Sequence, residues 1–210
     1  MKSSNFREIC AGDIAPKTLY RSNHPIFNSG QDKEVVLSAN TAKIQTIINL
    51  SDDSLSLKNK IINSPWYRKM HQDKKVVTLG ISMRFNILEP EFLQKIKQGI
   101  NFMIKNEPPY LIHCEVGIDR TGFFAFLLES FMKAGIDEMG KDYMLSYVNA
   151  DEYSDTDQRL GSEFVLNLLT KINGGQVSAE DDFYIIASNY LTKFVGLKKK
   201  ELSILRDKFK

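Results

Sequence analysis

The sequence predicts an α/β fold: a central, mostly parallel sheet flanked by helices, with a helical extension at its C-terminal end. Three observations predict it. Short β-branched runs alternate with amphipathic segments through residues 1–135, and strand–helix–strand order requires crossovers that make neighbouring strands parallel and cover both faces. Residues 136–210 carry only helical periodicity, which reads as an extension packed on the sheet and not as an independent unit. The length of 210 residues, with 42% hydrophobic and 26% charged, suits one domain with a core of its own.

Thr18–Ser22 is a short strand and Asp32–Ala39 a short helix. Lys43–Leu50 is rich in β-branched residues and ends at a polar cluster, as a buried strand does. Ser51-Asp52-Asp53 offers N-cap chemistry for a helix running to Asn63 and closed by Pro65. Lys75–Ile81 is the next strand. Pro90 opens a helix to Lys105, in which Phe92, Leu93, Ile96, Ile100 and Ile104 recur near the helical period. After Pro108-Pro109, the strand Tyr110–Ile112 runs into His113-Cys114, and an apolar helix, Thr121–Lys133, follows a glycine-bearing loop. The extension reads as helices at Asp137–Asn149, Asp157–Lys171, Ala179–Phe194 and Lys199–Lys208.

A net charge of +2, with its 28 basic residues spread along the chain, gives no electrostatic case for nucleic-acid binding. The one dense basic run, Lys198–Lys200, reads as a solvated helix start. No apolar stretch of about 18 residues suggests a membrane span. Two cysteines, Cys10 and Cys114, and no secretory leader point to a reduced, cytoplasmic protein, with export by a signal-independent route left open. His24 and His71 lack ligand-spaced partners and read as surface residues, so no metal is implied.

The chemistry concentrates in His113-Cys114-Glu115-Val116-Gly117-Ile118-Asp119-Arg120-Thr121-Gly122. A loop between a strand end and a helix start can turn its backbone N–H groups inward and hold an anion. A cysteine on the floor of that nest becomes a thiolate at neutral pH. Arg120 can clamp two phosphate oxygens with its fork, Gly117 permits the turn, and Thr121 carries a hydroxyl within reach of the sulfur. A lone cysteine at a strand end is more often a small buried hydrophobe; six positions in one register weigh against that here. Cys10 has no such surroundings and reads as inert.

The segment HCEVGIDRTG resembles the HC-x5-R-[ST]-G loop of the protein tyrosine phosphatase superfamily. The resemblance implies a tyrosine phosphatase-like fold and a phosphocysteine formed on Cys114. It also implies phosphate binding by Arg120 and the loop Glu115–Arg120, support of the thiolate by His113, and no cofactor. Asn5-Phe6-Arg7, Leu19-Tyr20-Arg21-Ser22 and Ile48-Asn49-Leu50-Ser51-Asp52 resemble a bacterial branch that also acts on phosphoinositides, as does the closing pattern Tyr190-Leu191, Gly196-Leu197, Glu201, Leu205-Arg206. Arg21 and Ser22 then either support the nest or cap an element.

Leaving-group departure needs an acid. The segment Ser82–Glu89, where many tyrosine phosphatases carry an aspartate, has none. Asp119 is the substitute, as the resemblance to this branch and to myotubularin-like lipid phosphatases implies; the alternative is that it only pairs with Arg120 or loop N–H groups. Glu89 and Glu91 are fallback acids. Glu115, Val116 and Ile118 stand where inositide-gripping loops carry lysines, which favours phosphotyrosine or a singly phosphorylated lipid over a heavily charged head group, whereas Asp119 and the resemblance to the branch lean toward inositides; a phosphotyrosine protein is the leading substrate. A phosphoinositide or inositol phosphate, with transient contact at a membrane surface, is the alternative, and a phosphate-binding pseudophosphatase is the alternative of another class. Arg84 and Lys74-Lys75 could add rim charge, and Phe85, Trp66 and Tyr67 could flank a phosphotyrosine ring. The oligomeric state has no signature in the sequence.

Overall fold

The computed structural model describes residues 4–26, 32–84, 86–150 and 157–210. The chain order is β1 (Arg7–Glu8), β2 (Leu19–Ser22), α1 (Asp32–Thr41), β3 (Thr46–Asn49), α2 (Ser54–Lys60), α3 (Pro65–Gln72), β4 (Val76–Thr78), α4 (Pro90–Lys105), β5 (Tyr110–His113), α5 (Asp119–Phe131), α6 (Ile136–Asn149), α7 (Gln158–Asn173), α8 (Phe183–Asn189) and α9 (Lys199–Lys208).

The five strands form one sheet in the order β1-β2-β5-β3-β4, parallel except for β1, which pairs antiparallel with β2. This is the predicted mostly parallel sheet. The two-residue β1 is an addition, too short to leave a period in the sequence. Register aligns Ser22 and Asn49 on either side of His113, so β5 ends between its neighbours at the carboxyl edge, where α/β sheets bind ligands.

The alternation of a strand sorts the core into two layers. Leu19, Ile48, Tyr110 and Ile112 face a layer built with α4, α5, α7, α8 and α9. Tyr20, Ile47 and Leu111 face the other way, into a layer with residues of α1, α2 and α3. The extension therefore packs on one face of the sheet. Residues 120–131 of α5 are buried on every side, which explains its unbroken apolar sequence.

Two boundaries differ from expectation for physical reasons. Pro65 does not merely close the helix from Ser54. A turn at Ile61–Asn63 separates α2 from α3, which Pro65 opens behind the N-cap Ser64; proline suits a helix start as well as a stop. The segment expected as a helix from Ala179 begins at Phe183, where Asp182 accepts the Ile185 N–H as N-cap, and it ends in a wider turn at Tyr190–Phe194. Lys198–Lys200 is exposed at the start of α9, as expected.

Helices α6 and α7 touch backbone to backbone at Gly140 and Gly161, where a Cβ on Gly161 would lie 2.5 Å from the Gly140 carbonyl oxygen. Gly161→Ala should therefore force the helices apart and lower stability by about 1–3 kcal/mol, read as a fall in denaturation midpoint at unchanged slope.

Candidate active site

Cys114 follows β5 and is 3% exposed; the Gly117 N–H donates to its Sγ at 3.3 Å. The loop then enters α5 through Ile118, an N-cap residue with no side-chain cap, so side chains do not compete for the first N–H groups of this buried helix. Gly117 has φ +82°, and a Cβ there would lie 2.6 Å from the Ser22 carbonyl oxygen. The position accepts only glycine, on both torsional and steric grounds.

The four carbonyls from Cys114 to Gly117 are met by groups from outside the loop. His113 Nδ1 lies 3.4 Å from the Cys114 oxygen, and the His24 N–H donates to the Glu115 oxygen at 3.1 Å. Asn5 Nδ2 donates to the Val116 oxygen at 3.4 Å, and Arg21 Nη2 to the Gly117 oxygen at 2.9 Å. Arg120 is buried beside the loop, with Nη1 donating to the Ile81 oxygen at 3.0 Å and Nη2 3.7 Å from Glu115 Oε2. Its Nε and the Thr121 Oγ1 are buried with no hydrogen-bond partner among the described residues.

His113 has a second brace. Its Nε2 lies 2.9 Å from the Tyr67 hydroxyl, which takes a hydrogen bond from Asn49 Nδ2 at 3.1 Å. Asn49 Oδ1 accepts the N–H groups of Ser51 and Asp52, so its amide orientation is set. The network assigns the His113 proton to Nδ1, facing the Cys114 carbonyl. Burial, then the proximity of His24, pushes the His113 pKa well below 6.5, so the ring is neutral. Asp52 lies behind. Its burial opposes the charge, but His24, Lys60 and Asn49 outweigh that and hold the carboxylate well below the usual range. His24 is 1% exposed and not a surface residue: Nδ1 accepts the Ile26 N–H and Nε2 meets Asp52 at 2.6 Å. Tyr67 is likewise buried and serves His113, not a substrate ring; Phe85 lies outside the described residues.

A third cluster sits on the other face. Arg21 is fully buried, spanning the Gly117 carbonyl and Asp142 of α6, and Arg7 Nε reaches the same carboxylate at 2.8 Å. Glu129 of α5 is buried nearby; burial, then the Asp142 charge, raises its pKa well above 4.5. Sequence reasoning flagged Arg21 and gave Tyr67 a different place at the site, but missed Asn5, Asn49, Asp52 and Asp142 as parts of it. Three of its weaker motif fragments contain Asn5, Arg7, Arg21, Asn49 and Asp52, which was the available signal.

Among the other candidates, Asp119 is exposed as the first residue of α5, Glu115 is half-buried, Val116 is exposed, and Ile118 is buried. Glu89 is exposed at the start of α4. Glu91 pairs with Lys95 at 2.6 Å, which lowers its pKa and works against its use as an acid. Cys10 is exposed; partial desolvation, then Glu8, pushes its thiol up, in keeping with an inert cysteine. Among the described residues no group of three or more metal-ligating side chains converges, and no helix is long and apolar enough to cross a membrane.

A buried neutral imidazole adds stability that is complete above its unfolded pKa of 6.5 and lost as pH falls through the window below it. Glu129, with a raised pKa, contributes in the opposite sense, so the comparison must be with a variant. Between pH 6.5 and 5 the stability advantage of wild type over His113→Gln should shrink by up to about 1.4 kcal/mol per pH unit in denaturant titrations. A pH-independent difference would mean His113 is not buried neutral.

Comparison with curated protein sequences gives no match. Similar solved structures include the core catalytic domain of the PP-IP phosphatase Siw14 from S. cerevisiae in complex with citrate, at 17% identity over 77% of this chain and 85% of that one, with a TM-score of 0.45. A second, of the Siw14 catalytic core, has 15% identity over 91% and 95% and a TM-score of 0.48. A variant of P. aeruginosa TpbA in complex with pTyr has 16% identity over 78% and 91% and a TM-score of 0.45. The model of the tyrosine phosphatase family matches residues 2–210, and the chain belongs to that family of phosphoric monoester hydrolases.

Proposed function

We propose that this chain hydrolyses phosphomonoesters through a phosphocysteine on Cys114, acting on phosphotyrosine proteins. One observation carries the reading: a buried cysteine sulfur receives a backbone N–H at the floor of a loop that opens an uncapped helix, with a buried guanidinium alongside. The inward N–H groups and the guanidinium favour an oxyanion held against the sulfur.

In the first step Cys114 Sγ attacks phosphorus and the P–O bond to the leaving group breaks. The loop N–H groups and Arg120 take the charge on the three equatorial oxygens. Asp119, exposed at the loop mouth, supplies the proton to the departing oxygen. In the second step water attacks phosphorus, Asp119 takes its proton, and the S–P bond breaks. The released thiolate is stabilised by the Gly117 N–H and by the Thr121 hydroxyl, a buried donor that no acceptor among the described residues claims.

The rim supports an aryl ester over a polyanion. Glu115 sets a carboxylate beside Arg120, and Val116, 49% exposed, offers apolar surface next to it. Lys95 is engaged by the Gly80 carbonyl and Glu91, and Lys60 by Asp52, so neither adds a loose cation to the rim.

Cys114→Ser should abolish phosphate release; unchanged turnover would remove Cys114 as nucleophile. Asp119→Asn should lower kcat by about 10²–10⁴-fold on an aryl phosphate with a poor leaving group and far less on p-nitrophenyl phosphate. Equal losses on the two would reject Asp119 as the acid. Phosphate release measured side by side should favour phosphotyrosine peptides over phosphoinositide vesicles, and the reverse order would assign the lipid head group.

A further inference from the structure

We propose that Arg21, held by Asp142, is a positioning residue that aims the loop N–H groups at the phosphate, so that helix α6 is part of the catalytic apparatus. This rests on the reading of Cys114 as nucleophile.

The peptide bond is planar and trans, so its C=O and N–H point in opposite directions. A donor that fixes a loop carbonyl outward therefore fixes the N–H of the next residue inward. One peptide displays both ends: the Val116 oxygen is held by Asn5 Nδ2, and the Gly117 N–H of the same peptide points at Cys114 Sγ. The next peptide is held more firmly. Arg21 Nη2 donates to the Gly117 oxygen at 2.9 Å from a fully buried guanidinium, which turns the Ile118 N–H toward the same nest.

Arg21 is in turn fixed by Asp142, which Arg7 also grips, while Arg7 Nη2 donates to the Asp142 carbonyl and to Ser146 Oγ at 2.8 Å each. Asn5 is set by the same helix: its Nδ2 also meets the Ser146 oxygen at 3.2 Å, and its Oδ1 accepts from Asn149 Nδ2 at 2.9 Å. Two adjacent loop peptides are thus oriented by residues 5 and 21, and both are anchored on α6. Arg21 needs its fork, with one arm on the carboxylate and one on the carbonyl; a lysine reaches one.

The test reads Cys114 directly. Alkylation by iodoacetamide is followed against pH by peptide mass spectrometry, which separates Cys114 from the exposed Cys10. In Arg21→Gln the alkylation rate of Cys114 at neutral pH should fall on the order of tenfold, and inorganic phosphate should protect at least about tenfold less well. The value of kcat/KM should fall about 10²-fold. Arg21→Lys should fall between. An alkylation profile and phosphate protection matching wild type in folded Arg21→Gln would overturn the proposal, since a role in stability alone moves only the melting temperature. If Arg21→Gln does not fold, Asp142→Asn and Arg21→Lys decide: slower alkylation of Cys114 with weaker protection supports the proposal, and wild-type curves reject it. Cys114→Ser separates the two readings. Turnover retained there removes the nucleophile; turnover lost there, with wild-type alkylation in the Arg21 variants, removes only the positioning role.

Discussion

The shape of the loop from Cys114 to Ile118 depends on how a few of its peptide groups are held. Left to itself, a short segment between a strand and a helix has many arrangements, and most scatter its N–H groups. Here the four carbonyls from Cys114 to Gly117 are met from outside by His113, His24, Asn5 and Arg21. None of these partners comes from the loop. The nest is therefore a tertiary property, built by the N-terminal segment on one side and by the strand that delivers the sulfur on the other. Gly117 completes it, because only a residue without Cβ can approach the Ser22 carbonyl so closely with a positive φ.

The two faces of the sheet divide the work. Alternation along β5 and β3 sends His113 and Asn49 to the face covered by α3, where Tyr67 joins them. Alternation along β2 sends Arg21 to the opposite face, toward Asp142. The first network is neutral at the ring that touches the cysteine backbone, and its charges sit further back at Asp52 and Lys60. The second places full charges directly behind the loop. A neutral His113 adds no positive charge beside the sulfur; what it contributes is a contact of Nδ1 with the Cys114 carbonyl.

How much of this was legible follows from the range of each signal. The helix Pro90–Lys105 was readable to the residue because proline, period and stop all lie within it. The parallel sheet was readable because strand–helix order implies crossovers. The loop was readable because its residues are contiguous. Pro65 misled because proline marks both ends of helices, and β1 escaped because two residues have no period. His24 misled because a buried histidine differs from a surface one only by its partners, Asp52 and the Ile26 N–H, which lie in another element and in the next turn. Asp142 escaped because an aspartate amid an amphipathic helix looks solvated until Arg7 and Arg21 close on it from more than a hundred residues away.

The buried charges behind the loop are a poor way to gain stability. Arg7, Arg21 and Asp142 are desolvated together, burial already lowers the Arg7 pKa to about 10, and a neighbouring Glu129 is driven toward its neutral form. Apolar side chains of similar volume would pack the same space at less cost. They would not point a donor at a carbonyl. A guanidinium held by a carboxylate has a fixed plane, and that plane sets which way the Gly117 carbonyl, three residues past Cys114, faces. The charge cluster holds geometry at the expense of stability, and the positioning role proposed for Arg21 would join the extension helix α6 to the working parts of the sheet domain it packs against.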